Sequence, residues 1–290
     1  MSKLARFRNE DGLGLAADAG DGFRAVWWND AAYPGDLPEL IAAGIDLMDV
    51  IQQFRSAQPI DLDLVERLPP LPDPGKILCV GLNYLDHAAE GHFEVPSYPT
   101  IFGRFASSLI GDGAPIIRPA VSDHLDFEGE LVAVIGLGGR HIPEEEALLH
   151  VAGYSIFNDA SIRDYQFRTP QWTVGKNFDG TGAFGPWFVP AAALPPGAKG
   201  LRLQTRLNGA VVQDISTDDM IFDVARQISL LSEAMTLAPG DVIVTGTPAG
   251  VGFARTPPLW MKPGDVCEVE LEGIGILSNP VQQEVARTAR

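Results

Sequence analysis

The chain is poor in cysteine and in positive charge. Among its 290 residues only Cys79 and Cys267 occur, far apart and without C-x-x-C spacing. Two such residues make no disulfide framework, so a reducing, cytoplasmic setting is expected. Lys and Arg number 21 against 38 Asp and Glu, a net charge of −17. Nucleic acid is thereby excluded as a partner, because phosphate binding needs clustered cations, and anionic membrane surfaces are disfavoured too. An anionic small molecule held by a few local cations remains compatible. No apolar run approaches a membrane span, and the opening MSKLARFRNEDGLG carries no apolar signal core. Common catalytic signatures are missing as well. There is no G-x-S-x-G elbow, no Lys follows the glycines of TGTPAGVG (245–252), and GLGGRH (136–141) lacks the third glycine of a dinucleotide loop.

What is present is ample material for a core. A hydrophobic content of 46% in a chain of this length supports one large domain, or a main domain with a small one. Residues 1–68 read as a small leading α/β module, with strand-like FRAVWW (23–28) and helical spacing in DLPELIAAGIDLMDVIQQF (36–54). Four prolines in LPPLPDPGK (68–76) mark a stiff extended linker over 69–76. The main domain, 77–290, opens in the apolar run KILCVGL (76–82), where Cys79 reads as a packed thiol. Strand and turn signals then dominate, among them ELVAVIGL, GPWFVP, DVIVTG and DVCEVELEGIGILS. Asn208-Gly209 between alternating segments predicts a hairpin. Helices are expected in IPEEEALLHVAG (142–153) and DMIFDVARQISLLSEAM (219–235). The fold class is therefore α+β, mostly β and of mixed character.

The stretch HLDFEGELVAVIG (124–136) places Glu128 and Glu130 at the mouth of an apolar strand. Side chains two apart on a strand share a face, about 7 Å apart along the chain. Two readings explain like charges there. The pair is either a solvated strand end matched by arginines, or part of a hard-oxygen site for a divalent cation such as Mg2+, Mn2+ or Ca2+. Asp159 in GYSIFNDASIRDYQ, another acid closing an apolar run, is the best third ligand by chemistry, and equally a turn or cap residue.

A second constellation lies in CVGLNYLDHAAEGHFE (79–94). Asn83 and Asp86 have the spacing of a capping box, opening a short helix on which His87 and Glu90 share a face. A carboxylate against imidazole suits a general base acting on water. The same spacing also fits a plain surface pair.

Taken in series, VGLNYLDHAAE, DFEGELVAVIG, GYSIFNDASIRDYQ, GKNFDGTGAFGPW, LNGAVVQDISTDDMIF, LAPGDVIVTGTPAGVG and GDVCEVELEGIGILSNPV resemble the fumarylacetoacetate hydrolase family over residues 76 to 280. The resemblance implies a mixed β-roll, usually a homodimer, with one Mg2+-type ion per site. It implies Glu128, Glu130 and Asp159 as metal ligands, His87 and Glu90 as a water-activating dyad on a lid, and Lys176 as the active-site lysine. Arg104, Gln166 and Thr247 would contact substrate, Arg104 at a position where a lysine is common, and Arg163 would hold the Asp159 segment. The implied activity is hydrolysis of a carbon–carbon bond in a 1,3-diketo acid, with the metal and Lys176 stabilising the departing enolate. Decarboxylation or isomerisation of a related oxo acid is the alternative within enzymes, and a non-catalytic metal-binding relic the alternative outside them. Leu82 stands where acylpyruvate-cleaving members often carry arginine, so a bulkier or less acidic substrate than a simple acylpyruvate is expected.

Overall fold

The apolar run LVAVI owes its unbroken character to burial on both faces. In the computed structural model, which describes residues 2–84 and 97–285, it forms the strand Gly129–Ile135 near the middle of a large sheet. Leu131, Ala133 and Ile135 enter a core with Leu203, Val269 and Leu271 of a second sheet and with Val224 and Ile228 of a helix. Val132 and Val134 point the other way, into a core with Leu37, Ile41, Val50 and Ile51 of the leading segment. Alternation by two thus feeds two apolar layers rather than one layer and water.

The large sheet runs Gln58–Pro59, Phe23–Trp27, Gly12–Asp18, Lys3–Asn9, Gly182–Pro190, Val151–Asp159, Gly129–Ile135, Val242–Val244, Ile77–Gly81, Thr100–Gly103. Neighbours along it are antiparallel except Val242–Val244 beside Ile77–Gly81. The second sheet runs Ala210–Ser216, Arg202–Leu207, Val266–Leu271, Gly275–Gln283, Ile116–Arg118. The expected hairpin is there: Leu207 pairs with Ala210, and Asn208 and Gly209 carry φ of 52° and 79°, the left-handed pair of a tight turn. The mostly β, mixed-sheet class read from the sequence is the class observed.

The helices depart from expectation in instructive ways. The segment 36–54 splits into Leu37–Ala42 and Leu47–Gln53. Gly44, at φ 65°, ends the first: its N–H donates to Ile41 O and Ile45 N–H to Leu40 O, a reversal that needs a residue without a side chain. Asp46 then caps the second through Met48 N–H. The stretch 142–153 gives only a 3-10 turn, Glu144–His150, because Pro143 fixes its start and the strand Val151–Asp159 takes up the remainder. The helix expected over 219–235 begins late, as Val224–Ala234, where Asp223 accepts from Arg226 N–H. Asn83, expected as a cap, spends its amide on Phe222 and Thr245, while Asp86 lies outside the described residues. Among the described residues, no helix is long and apolar enough to cross a membrane.

Candidate active site

Register brings several strand ends to one place. Gly129 pairs with Asn158, Val132 with Val244, and Val244 with Cys79. The start of Gly129–Ile135 therefore lies beside the ends of Val151–Asp159, Val242–Val244 and Ile77–Gly81. Asp159 N–H donates to Glu128 O at 2.8 Å, extending the ladder one step so that Asp159 stands across from Glu128 and Glu130. Carboxylate oxygens of Glu128, Glu130 and Asp159 all fall within 4.8 Å of one another, and all three residues are buried. A solvated strand end is thus not what the structure shows.

Three buried cations stand around the acids. The Lys176 Nζ donates to Glu128 Oε2 at 2.5 Å and to Asp159 Oδ2 at 2.7 Å. Arg104 pairs with Asp159 from behind and donates to Thr181 Oγ1 at 2.7 Å. Arg163 reaches Glu128 Oε1 at 2.7 Å and Asp126 Oδ2 at 2.8 Å. Asp126 itself accepts N–H bonds from Phe127, Gly252 and Phe253. Four carboxylates, counting Asp126, thus meet three cationic side chains. Glu130 is the acid left over. Among the described residues no cationic side chain pairs with it, and it accepts only the Gly246 N–H.

The titration of the cluster follows from this imbalance. Burial, reinforced by Asp159 and Glu128, pushes Glu130 well above its ordinary value, and Lys176 and the Gly246 N–H only partly oppose it. Burial alone would lower Lys176, but Asp159 and Glu128 outweigh it and raise the ammonium above the usual lysine range. Arg163 is likewise lowered by burial and raised further by Glu128 and Asp126. A divalent cation fits the residues present. The donors are hard oxygens, they converge, and a double positive charge would relieve the unpaired Glu130. Glu128, Glu130 and Asp159 would hold it.

Above the acids lies a small cavity of about 20 Å³, lined by Glu128, Glu130, Arg163, Gln166, Lys176 and Thr247 and walled by Val80, Gly81, Leu82, Phe102, Phe167, Trp172 and Phe253. Lys176 is carried on the short helix Thr173–Lys176 and Gln166 on Arg163–Gln166. Gln166 accepts from Arg163 Nη1 at 2.8 Å. Thr247 donates to Gly129 O and accepts from Gln213 Nε2.

Arg104 is placed otherwise than the sequence led us to expect. It is buried behind Asp159 and is not part of the cavity wall, so it neutralises an acid instead of meeting a substrate. Arg163 grips Glu128 and Asp126 rather than the Asp159 segment. His87 and Glu90 lie outside the described residues. Sequence reading missed Asp126, Gly246 and the aromatic wall. The first two act through backbone N–H groups far along the chain, which carry no side-chain signature. Trp172, Phe167 and Phe253 have only composition to mark them.

A mostly β protein of mixed sheets, with a buried carboxylate centre beneath an aromatic-walled cavity, is the class defined by these features. The model of the fumarylacetoacetate (FAA) hydrolase C-terminal domain matches residues 76–282, and the chain belongs to that family, a family of enzymes. It is 37% identical over 290 residues to "Oxaloacetate tautomerase fahd2, mitochondrial" of Xenopus laevis, covering 96% of this chain and 90% of the relative. The solved "Fumarylacetoacetate hydrolase (EaFAH)" of Exiguobacterium antarcticum superposes with a TM-score of 0.83 at 37% identity, covering 98% of this chain and all of that one. A 2-hydroxyhepta-2,4-diene-1,7-dioate isomerase of Mycobacterium marinum superposes at 0.77 with 32% identity, over 99% of this chain and 100% of that one.

Proposed function

We propose that the chain is a divalent-metal-dependent enzyme, using Mg2+ in the first instance, that interconverts the keto and enol forms of a 2-oxo acid. The carrying observation is the convergence of Glu128, Glu130 and Asp159 beside Lys176 at the base of one cavity. When bound, the cation supplies a Lewis acid for the acid's oxygens and for enolate charge. The chain's own residues do the rest. Lys176 brings a fixed positive charge to the place where negative charge develops, in a site shielded from water, where such charge acts most strongly. Gln166, its oxygen held by Arg163, offers its amide N–H groups to orient the carboxylate end, and Thr247, whose hydroxyl is held between Gln213 and Gly129, shapes the wall beside it. Tautomerisation breaks one C–H bond and forms one O–H bond, so it needs a proton carrier, the part His87 oriented by Glu90 would play in taking the proton from carbon and returning it to oxygen, and no attacking water. The 37% identity to an oxaloacetate tautomerase over nearly the whole chain supports this choice.

Hydrolysis of a carbon–carbon bond in a 1,3-diketo acid is the second reading, favoured by likeness to the Exiguobacterium hydrolase. It calls in addition on a water molecule, from which His87, oriented by Glu90, would take the proton as the water attacks the carbonyl. One pair of assays separates the two. Metal-loaded protein is mixed with enol-form oxaloacetate while the enol absorbance is followed, and with acetylpyruvate while released acids are counted. Enol decay accelerated over the metal-only blank, and lost in Glu130→Ala, supports tautomerisation. Stoichiometric acid release without it selects hydrolysis. Absence of both activities overturns both readings.

A further inference from the structure

A single residue separates Glu128 from Glu130, and its backbone faces away from the strand that holds Glu128. Glu128 turns its N–H to Asn158 Oδ1 and its C=O to Asp159 N–H, both on Val151–Asp159. Gly129 turns its own N–H and C=O to the other side, as alternate residues of a strand do. On that side the ladder stops short. Val132–Val134 pair with Val242–Val244, Thr245 N–H reaches Leu131 O, and the chain then leaves the sheet. The peptide groups of Gly129 are buried there with no strand paired to them among the described residues.

Side chains stand in for the missing strand. Gly129 N–H donates to Gln213 Oε1 at 3.0 Å, and Gly129 O accepts from Thr247 Oγ1 at 3.0 Å. Gln213 Nε2 closes the ring, donating to Thr247 Oγ1 at 2.8 Å and to Pro248 O at 2.9 Å. The oxygen and both N–H groups of one buried amide are thereby used, and a flipped amide could not serve the same partners. Gln213 belongs to the second sheet, where it lies opposite Thr205 on the same face. Both press on Gly129: a Cβ there would fall 2.2 Å from Thr205 Oγ1, so only glycine lets the sheet come this close. The same amide holds the loop whose Gly246 N–H donates to Glu130.

We propose that Gln213 is the positioning residue of the acid pair, setting from the second sheet, through Gly129 and the 246–248 loop, how Glu128 and Glu130 meet a divalent cation. The proposal rests on the metal-site reading above and adds the residue that orders its ligands. Gln213 is not among the residues lining the cavity, so its effect passes through the backbone.

The test titrates Mn2+ calorimetrically into the chelator-stripped full chain and counts the waters left on the bound ion by water-proton relaxation. In Gln213→Met, similar in length but without the amide, Mn2+ should bind about tenfold to a hundredfold more weakly, the usual cost of losing a residue that orders metal ligands. The ion should also carry at least one more water, since the two glutamates no longer both reach it. Gln213→Glu, which when protonated again offers an acceptor to Gly129 and a donor to Thr247, should keep the wild-type water count. Thr217→Val removes another buried hydroxyl just beyond the same strand, and it should leave affinity and water count unchanged although it too costs stability in urea. Where Gln213→Met does not fold, Gln213→Asn, whose amide falls one methylene short of Gly129, replaces it with the same result expected. Affinity within about twofold of wild type, or an unchanged water count, overturns the proposal and leaves the metal site standing. An extra water in Gln213→Glu, or equal weakening in Thr217→Val, does the same. Failure of the wild-type chain to bind Mn2+ overturns the metal reading and the proposal together.

Discussion

Lys176 donates to Glu128 and Asp159 with every partner out of water, so deleting it leaves two buried anions without their shared counter-ion. Breaking such a buried pair from one side destabilises by about 3–5 kcal/mol, far more than a surface pair would. Lys176→Met should therefore lower metal-free stability by about that much in urea unfolding, and Mn2+ should restore part of the loss by supplying positive charge to the same acids. No loss without metal would mean that Arg104 and Arg163 suffice to hold Asp159 and Glu128. Glu130 carries a pH signature of its own. Its pKa in the folded chain stands well above the ordinary 4.5, so the folded state holds a proton that the unfolded state has released. Metal-free stability should accordingly fall as pH rises above about 4.5, until Glu130 ionises in the folded state as well. Over that same window a cation must displace the proton, so Mn2+ affinity should rise with pH. Titrations in two buffers of different ionisation enthalpy should report proton release on binding, and Glu130→Gln should abolish it. At this scale the E-x-E pair was legible because a strand's period is two. Asp126 was not, since its importance comes from Arg163 and from backbone N–H groups of residues 252 and 253.

Two short helices present Lys176, Arg163 and Gln166 to the cavity, and they touch at Gly175. A Cβ on Gly175 would sit 2.3 Å from Gln166 N, a backbone atom that cannot swing aside. Gly175→Ala should therefore push Thr173–Lys176 away from Arg163–Gln166. We expect about 1–3 kcal/mol of destabilisation, and an affinity for Mn2+ at least about tenfold tighter because Lys176, drawn off Glu128, competes less with the ion for the acids. Wild-type affinity in a folded Gly175→Ala protein would show that the two helices move without disturbing the acids. Element-scale legibility was uneven for physical reasons. Apolar runs flanked by turn residues announced the strands around Glu128 and Asp159. Helical spacing over 36–54 was real but interrupted, because one glycine in a left-handed turn reverses the chain without disturbing the hydrophobic pattern. The residues 163–176 gave no usable signal, as helices of one turn have no periodicity to read.

Over the whole molecule, the large sheet is covered on one face by the leading segment and on the other by the second sheet and the helix Val224–Ala234. Leu4 pairs with Phe188, and Leu37, Val50 and Ile51 share a core with Val132, Val134 and Val244. A chain beginning at residue 69 would expose that face of the central strands. It should lose the cooperative unfolding of the full chain and bind dyes for apolar surface, whereas a sharp transition would show that residues 77–285 fold alone. Composition and patterning bounded the fold class well. They could not reveal which layer covers which face, because both faces of Gly129–Ile135 read alike as hydrophobic.

One arrangement near the centre also has a kinetic side. The ammonium of Lys176 rests between Glu128 and Asp159, on two of the three acids that would take a cation. An arriving ion cannot settle until that side chain lets go of at least one of them, and the cavity wall gives it little room to retreat. Occupation of the site should then be paced by the lysine's departure and not by encounter. In rapid mixing the observed rate would level off as ion concentration rises, and Lys176→Met would make it climb without a ceiling.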